Sequence, residues 1–392
     1  MAQNKSTHTM KNLAVLIFSI TLAACGGGGS STATVATPAA VSQVLNLNFA
    51  ALDNYAAPIL PAYYDAAVQA TDNTPPGDPV TDKMATLGRV LFYDKNLSVN
   101  NAVSCASCHQ QARGFDDAVR FSVGFSGAAF TAAHAMRLGN VRYFRPGTAF
   151  WDRRAASVEA QASQPVQNAV EMGFDAAHGG LTALFSKLNA LAYYPDLFTQ
   201  AFGDSTITEP RVQRALAQFE RAMVSTGSRW DTAFAQTFNP ALADKGLSLP
   251  VPGFTVAEER GRFLFIKPPG ASGVGCAACH APPTFALTAN ARSNGLDAGE
   301  TRVFKSPSLK SVGLGSAFMH DGRFNSLAQV VEHYNSGVQA GPALDNRLIG
   351  PGGAPRVLNL SAPDKAALVA FLSTLNDGQL AADSKFSDPF KR

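Results

Sequence analysis

Cys105-Ala-Ser-Cys108-His109 and Cys276-Ala-Ala-Cys279-His280 are two copies of one five-residue pattern, C-x-x-C-H, and they use four of the five cysteines in the chain. This pattern is typical of covalent haem c attachment, in which two thiols bond to the haem vinyl groups and the adjacent His ligates the iron. A zinc site would need four ligands at one point, and each copy supplies only Cys, Cys and His. The sequence therefore predicts two covalently bound haem c groups.

The fifth cysteine, Cys25, closes an N-terminal segment that is typical of exported proteins. Two lysines precede an apolar run at residues 13–24, which is too short to span a membrane. The run ends in Leu22-Ala-Ala-Cys25, which resembles a bacterial lipobox, although an ordinary secretory signal with an incidental Cys is the alternative. We expect residues 1–24 to be a lipoprotein signal peptide and Cys25 to be lipidated. The expected location is the periplasm, at the outer membrane because Gly26 rather than Asp follows.

Composition limits the possible functions of the chain. It has 392 residues, a net charge of +3 and no basic stripe with interleaved aromatics, so nucleic acid is not an expected partner. With four cysteines assigned to haem and one to lipid, none remains for a disulfide. Contact with a membrane is expected only through the lipid anchor.

A short internal repeat predicts two related halves. Gly88-Arg-Val-Leu-Phe92 precedes the first C-x-x-C-H, and Gly261-Arg-Phe-Leu-Phe265 precedes the second at nearly the same distance. Because residues 25–44 lack apolar periodicity, we expect them to be a flexible tether. Two domains should follow, at residues 45–245 and 250–380.

Capping patterns predict helices in both halves. A helix is predicted from Glu209 to Val224, and others after Thr255, Ser326 and Ser361, each a Ser or Thr followed three residues later by Glu, Gln or Asp. No convincing run of alternating strands appears. The predicted fold class is mainly α: two cytochrome c-like haem domains with long loops, and haems near the domain interface.

Five motifs follow one another between Thr81 and Asp377: Leu87-Gly-Arg-Val-Leu-Phe-Tyr-Asp94, the first C-x-x-C-H, Phe150-Trp-Asp-Arg-Arg-Ala155, Gln161-x3-Pro165-x5-Glu171 and Met319-His-Asp-Gly322. In their order and spacing they resemble the bacterial diheme cytochrome c peroxidase and MauG family. This resemblance implies that the His109 haem is the peroxidatic centre and that the His280 haem admits electrons.

The resemblance also assigns roles around the His109 haem. Glu171 and Gln161 match the pair over the open iron face, where a carboxylate can move a proton between peroxide oxygens and an amide can orient them. Pro165 matches a residue that limits access to that pocket. Trp151 matches the tryptophan between the haems. Without the resemblance, Gln161 would be assigned to a solvated helix surface and Glu171 to a charged helix end.

The second axial ligand of the His280 iron stays open between two residues. Tyr334 is at the position where MauG-like members carry a Tyr, whereas Met319 is the thioether rival. An apolar core position is the alternative for Tyr334. His320 and Asp321 are expected to brace the loop that carries Met319.

The chain departs from the family at several positions. Phe125 stands where typical members have a His that closes the peroxidatic iron, and His134 is the nearest substitute. Calcium between the haems also stays in doubt, because only Asn140 and the carbonyls of Gly315 and Ala317 remain as donors. An open iron that needs no reductive switching is therefore expected.

Three functions follow from these features. The first is a periplasmic peroxidase that reduces hydrogen peroxide with electrons from a small cytochrome c or cupredoxin. The second is a MauG-like enzyme that oxidises residues of a partner protein, which Phe125 and Tyr334 favour. The third is a non-catalytic diheme electron carrier, which Gln161 and Glu171 disfavour.

Overall fold

Helices and loops dominate the structure, a computed structural model that describes Met1 and residues 36–392. The predicted signal peptide and Cys25 lie outside the described residues. The α-helices of the described part are α1 Ala39–Val44, α2 Ala66–Gln69, α3 Asp82–Tyr93, α4 Cys105–Cys108, α5 Val158–Ala162, α6 Gln164–Gln167, α7 Gly180–Ala190, α8 Tyr193–Phe202, α9 Glu209–Ala222, α10 Arg229–Thr237, α11 Val256–Ile266, α12 Leu327–Glu332, α13 Ala362–Ser373 and α14 Gly378–Ala382. The mainly α class is confirmed.

Shorter elements fill the long connections. Strands β1 (His280–Ala281) and β2 (Ala286–Leu287) form an antiparallel pair, and a π-helical turn covers His333–Gly337. The 3₁₀ turns are Lys95–Leu97, Gln111–Arg113, Val141–Tyr143, Ala176–His178, Pro269–Ala271, Cys276–Ala278, Val312–Leu314, Asn346–Leu348, Pro351–Gly353 and Ser384–Phe386. No helix within the described residues is long and apolar enough to cross a membrane.

The predicted capping residues begin their helices. The Thr255 side chain accepts a hydrogen bond from the backbone N–H of Glu258, and Ser361 accepts one from Asp364 in the same way. Ser326 caps α12 by accepting from Gln329. The predicted helix from Glu209 ends at Ala222, two residues early, because Met223 leaves helical geometry at ψ 69°.

The sequence repeat is also a repeat of helix packing. A Cβ on Gly88 of α3 would lie 1.9 Å from the carbonyl oxygen of Ala215 in α9. A Cβ on Gly261 of α11 would lie 1.9 Å from the carbonyl oxygen of Ala367 in α13. Glycine at each crossing therefore lets the two helix backbones touch. The second helices share a further pattern, Ala-Leu-x-x-Phe at residues 215–219 and 367–371, which the sequence analysis missed.

The structure has two hydrophobic cores, and each is built from segments that are not contiguous in the sequence. The first core includes the buried residues of α1, α3, α8 and α9, and the second includes those of α10, α11 and α13. Tyr63 and Tyr64 pack in the second core, whereas Leu380 and Phe386 return to the first. Core membership changes after Met223 rather than at the predicted limit near residue 245, so the domain boundaries remain a prediction.

The predicted tether is wrong at its C-terminal end. Residues 39–44 form α1, and Val41 is fully buried in the first core. Val41, Val44 and Leu45 keep helical spacing and all contact that core, so they order the segment. Leu45 also bridges to Phe390 near the C-terminus. Residues 25–35 of the predicted tether lie outside the described residues.

Candidate haem cavities and active site

Each C-x-x-C-H motif lines its own cavity. The first cavity, of about 490 Å³, is lined by Cys105, Cys108 and His109. The second, of about 480 Å³, is lined by Cys276, Cys279 and His280. Both volumes fall in the range of cofactor sites, and both linings are mainly apolar. Two similar cavities therefore hold the two sets of predicted haem-attachment residues.

The four motif thiols are free rather than paired in disulfides. Burial raises the pKa of each thiol, to about 11 for Cys108 and about 12 for Cys276, so these groups stay protonated in the protein without haem. Among the described residues, no group of three or more His, Cys, Asp or Glu is arranged to hold a metal ion. The thiols therefore fit bonding to a haem better than a thiolate cluster.

His109 follows α4 directly and faces the first cavity. Its Nδ1 lies 3.3 Å from the carbonyl oxygen of Phe115, so Nδ1–H is the donor and Nε2 keeps its lone pair. Burial lowers the pKa of His109, which keeps the imidazole neutral. A neutral ring with a free Nε2 is the form that ligates iron.

His280 forms the start of β1 and faces the second cavity. Burial and the nearby Arg347 guanidinium lower its pKa to about 4, so this ring is also neutral. Its buried Nδ1 has no hydrogen-bond partner among the described residues. The two motif histidines thus share a protonation state but differ in the hydrogen bond that orients the ring.

The structure brings Gln161, Pro165 and Glu171 together on the wall of the first cavity. Gln161 lies in α5, Pro165 in α6, and Glu171 in the turn that follows. In the described part of the chain, neither the Gln161 amide nor the Glu171 carboxyl has a side-chain hydrogen bond. Glu171 lies in a turn beyond the C-cap residue of α6 and so is not a helix-end charge, and both polar groups are available to a molecule in the cavity.

The protonation of Glu171 is set by two opposing effects. Burial raises the pKa of its carboxyl, and the guanidinium of Arg154 lowers it. Arg154 also lines the cavity, lies 3.5 Å from the centroid of the Phe150 ring and pairs with Asp152 at 2.9 Å. No sequence signal separates Arg154 from the other residues of the Phe150–Ala155 motif.

Trp151 lies in a wall that both cavities share. It lines each cavity, and its indole N–H donates to the carbonyl of His134 at 2.8 Å. The turn that presents it has left-handed residues on both sides, Phe150 at φ 65° and Arg153 at φ 59°. The tight turn projects the indole between the cavities, which fits the role that the family resemblance assigns. The other members of this shared wall are His134, Ala135, Arg137, Leu287, Phe304, Lys305, Ser306, Pro307 and His320.

Tyr334 and Met319 both line the second cavity with His280. Tyr334 lies in the π-helical turn that follows α12, and such turns occur often at functional sites. Burial raises the pKa of Tyr334 to about 12, and the Asn294 amide opposes that rise. The same Asn294 side chain donates to the Met319 sulfur at 3.3 Å. Tyr334 and Met319 therefore both remain candidates for the second ligand of the His280 iron.

Comparison with known proteins gives the family. Residues 82–238 match the family model for the di-haem cytochrome c peroxidase (CCP_MauG). The methylamine utilization protein MauG of Methylorubrum extorquens is 32% identical over 319 residues, which cover 77% of this chain and 80% of that protein. This chain belongs to the diheme cytochrome c peroxidase and MauG family.

Other family members are similar at comparable levels. The cytochrome c551 peroxidase of Nitrosomonas europaea is 28% identical over 278 residues, 65% of this chain and 73% of that protein. A crystal structure described as a MauG-like protein associated with microbial copper homeostasis is 29% identical, with a TM-score of 0.66, over 86% of this chain and 99% of that one. The family implies two haem c groups and an oxidoreductase of the diheme peroxidase type.

His134 is not free to replace the His that typical family members use to close the peroxidatic iron. Its Nε2 lies 2.9 Å from Asp116 Oδ1, and its Nδ1 lies 3.1 Å from the carbonyl of Val119. The Asp116 carboxylate raises the pKa of His134 against the opposing effect of burial. Both ring nitrogens therefore face oxygen atoms of the protein: Nδ1 donates to a carbonyl, and Nε2 makes an ion-pair contact with the Asp116 carboxylate.

Phe125 points away from the first cavity. Its ring packs on Gly173, where a Cβ would lie 2.6 Å from it, and makes an edge contact with His178 at 5.9 Å. Ser122 and Val123 of the same loop line the cavity, and the Ser122 hydroxyl donates to Asp117 at 2.5 Å. No side chain from this loop is placed as a ligand for iron.

The remaining calcium donors of the family are partly engaged. The Asn140 side-chain oxygen accepts from the Ser225 N–H at 2.9 Å, and its amide donates to the Thr284 carbonyl at 3.3 Å. Beside Gly315, the Arg137 guanidinium contacts Asp116 at 2.5 Å. A guanidinium so close disfavours a cation, and calcium binding stays a doubtful prediction.

Two buried ionisable residues of the site were missed by the sequence analysis. Glu220 of α9 lines the first cavity, and burial raises its pKa to about 7. Lys305 lines both cavities, and burial lowers its pKa to about 8. Glu220 stands next to Arg221, and Lys305 lies between Phe304 and Ser306, so neither local sequence separates the residue from a surface charge.

Proposed function

We propose that this protein is a periplasmic diheme c-type oxidoreductase that uses hydrogen peroxide as its oxidant at the His109 site. The observation that carries the proposal is the first cavity, where the C-x-x-C-H residues face the unpaired Gln161 and Glu171 side chains. A bound haem would supply an iron that exchanges electrons with peroxide. His109 would hold that iron from one side through its free Nε2.

Glu171 would move a proton between the two peroxide oxygens, and Gln161 would orient them. Reduction of one peroxide to two waters consumes two protons and two electrons, and a proton must move from one oxygen to the other as the O–O bond breaks. The Glu171 carboxylate can accept that proton and return it, and the Gln161 amide can orient the oxygens. Burial raises the pKa of Glu171 toward working pH, which improves it as a base.

We infer further that the electrons come from residues of a partner protein, as in the MauG-like alternative. Support comes from Tyr334 in the second cavity and from the engaged nitrogens of His134, which leave the first site open without reduction. Relatives named MauG and a MauG-like protein associated with microbial copper homeostasis support the same direction. Periplasmic copper-binding proteins are therefore the first partners to test.

A cytochrome-fed peroxidase is the second candidate. Met319 lines the second cavity beside Tyr334, and the similarity to a cytochrome c551 peroxidase extends over 65% of the chain. A small cytochrome c or cupredoxin would then be the donor to the His280 haem. A plain electron carrier explains neither the unpaired Gln161 nor the unpaired Glu171 at the first cavity.

The deciding experiment compares two electron sources for one peroxide reaction. Oxidised protein is mixed with one equivalent of hydrogen peroxide, with or without prior one-electron reduction. Reduced cytochrome c or a periplasmic copper protein is then added, and the latter is analysed for oxidised residues by mass spectrometry. We expect reaction without prior reduction and an oxidised partner residue. A strict need for prior reduction, followed by fast cytochrome turnover, would favour the peroxidase.

A further inference from the structure

Lys305 differs from every other buried cation of the described chain. Five other Lys or Arg residues are similarly buried, and each has a carboxylate partner: Arg89 with Asp53, Arg137 with Asp116, Arg221 with Glu159, Arg262 with Glu259 and Lys310 with Asp231. Lys305 is 4% exposed, and no carboxylate of the described residues lies within 4.0 Å of it. A buried ammonium without a counter-charge is unfavourable, so either it loses its proton or an anion binds beside it.

The surroundings of Lys305 add positive charge. Its Nζ lies 4.7 Å from the centroid of the Phe144 ring, and the Arg153 guanidinium lies 5.7 Å from the same ring. Arg153 donates only to carbonyls, those of Ala291 and Phe304, and its buried Nε has no partner among the described residues. Glu220 is the acid that acts on Lys305, but burial raises its pKa to about 7, so it is only partly ionised at neutral pH.

The ammonium group of Lys305 has N–H donors available in the wall between the two cavities. One N–H of the ammonium donates to the Thr148 carbonyl at 3.0 Å, which leaves two of three donors free. The residue lines both cavities, and its backbone N–H donates to the Trp151 carbonyl at 2.7 Å. This contact ties Lys305 to the wall that separates the cavities.

We propose that Lys305 binds a carboxylate from each cavity, and that these are propionates of the two haems. The proposal rests on the proposed function insofar as both cavities must hold haem. One free donor serves each cavity, and Arg153 adds to the positive potential of the wall. The ammonium then favours reduction of both haems, because a nearby positive charge stabilises the form of iron that carries one charge less.

The test measures the midpoint potentials of both haems by spectroelectrochemistry at fixed pH. We expect Lys305→Met to shift both potentials downward and Lys305→Arg to stay near the wild type. Arg302→Met is the matched control, because Arg302 lines the first cavity but is exposed and already pairs with Glu300 at 3.0 Å. Unchanged potentials in Lys305→Met would overturn the proposal, and so would a shift of only one haem.

A second measurement needs no variant and covers the case in which Lys305→Met does not fold. Burial, opposed by Glu220 and aided by Arg153, lowers the pKa of Lys305 to about 8, whereas two bound carboxylates would keep the ammonium charged well above that pH. Both wild-type potentials should therefore show no joint fall between pH 7 and about 9. A joint fall near pH 8 would overturn the proposal. Haem content and peroxide reactivity of the same samples separate this failure from failure of the proposed function.

Discussion

Glu171 is the residue on which the proposed peroxide chemistry depends most. We expect Glu171→Gln to slow the reaction of the oxidised protein with peroxide by roughly 10²- to 10⁴-fold, the range for loss of a general acid–base group. The wild-type rate should fall as the pH drops through the raised pKa of Glu171, because a protonated carboxyl cannot accept a proton. Stopped-flow absorption across pH 4–9 measures both. A variant with wild-type rate and pH profile would remove Glu171 from the reaction.

Arg154 gives a matched test of the same titration. Its guanidinium lowers the pKa of Glu171 against the effect of burial. Arg154→Met should therefore move the acidic limb of the pH–rate profile to higher pH, whereas Arg154→Lys should leave it close to the wild type. The shift is a position on the pH axis, so a general loss of activity cannot imitate it. An acidic limb that does not move in Arg154→Met would show that another group titrates.

Tyr334 and Met319 can be separated by spectroscopy. If Tyr334 ligates the His280 haem, Tyr334→Phe should change the low-spin ferric spectrum and shorten the lifetime of the protein oxidised by peroxide, while Met319→Leu changes neither. An anionic oxygen donor favours higher charge on the metal, which explains the lifetime. The opposite pattern would assign the ligand to Met319. Asn294 contacts the Met319 sulfur at 3.3 Å and acts on the Tyr334 phenol, so Asn294→Ala should perturb the same spectrum more weakly.

At the scale of elements, two glycines determine how the helix pairs cross. Gly88→Ala and Gly261→Ala would each place a Cβ 1.9 Å from a carbonyl oxygen of the facing helix, so the helices must separate. We expect each to lower the free energy of unfolding by about 1–3 kcal/mol, the usual cost of overpacking. Gly378→Ala is the control, because a Cβ there meets nothing within 4 Å. Denaturant unfolding followed by circular dichroism measures the three variants.

These variants also test whether the two halves respond alike. Leu216 of α9 lines the first cavity and Leu368 of α13 lines the second, one residue after the alanine that each glycine contacts. A separated helix pair should therefore disturb the haem spectrum of its own half. If Gly88→Ala altered the His280 haem instead, the correspondence between helix pair and cavity would be wrong.

At the scale of the whole molecule, the two motifs should be loaded independently. Wild type should carry two haems that acid-acetone does not extract, and the mass should exceed that of the processed chain by two haem units. Replacing Cys105 and Cys108 together by Ala should leave one haem and abolish the peroxide reaction, because the His280 haem lies in a separate cavity. The equivalent change at Cys276 and Cys279 is the control. A wild type with one haem would end the diheme interpretation.

The predicted lipid anchor depends on Cys25, which lies outside the described residues. We propose that Cys25 carries the lipid and anchors the protein to the outer membrane, on its periplasmic side. Cys25→Ser should then move the protein from the membrane fraction to the soluble periplasmic fraction, because a diacylated Cys supplies the two chains that stable anchoring needs. Immunoblots of fractionated cells measure this. A soluble wild type would contradict the lipobox interpretation.

The sequence by itself determined the features that depend on neighbours in the chain. Each C-x-x-C-H motif places two thiols and an imidazole within five residues, so haem attachment can be predicted without a fold. Caps at Thr255, Ser326 and Ser361 are local in the same way, since a side chain bonds a backbone group three residues later. The glycine repeat indicated two similar halves, although only the packing at Ala215 and Ala367 explained it.

The tertiary structure decided what depends on residues far apart in sequence. Residues 39–44 form a helix although their sequence predicts a tether, because their few apolar residues gain packing partners only in the first core. His134 is a possible iron ligand by sequence, but the fold sets its Nδ1 against the Val119 carbonyl and its Nε2 against Asp116. Lys305 and Glu220 also could not be assigned from the sequence. A charged residue is predicted to lie on the surface, and only the tertiary structure shows that it is buried and whether a counter-ion lies nearby.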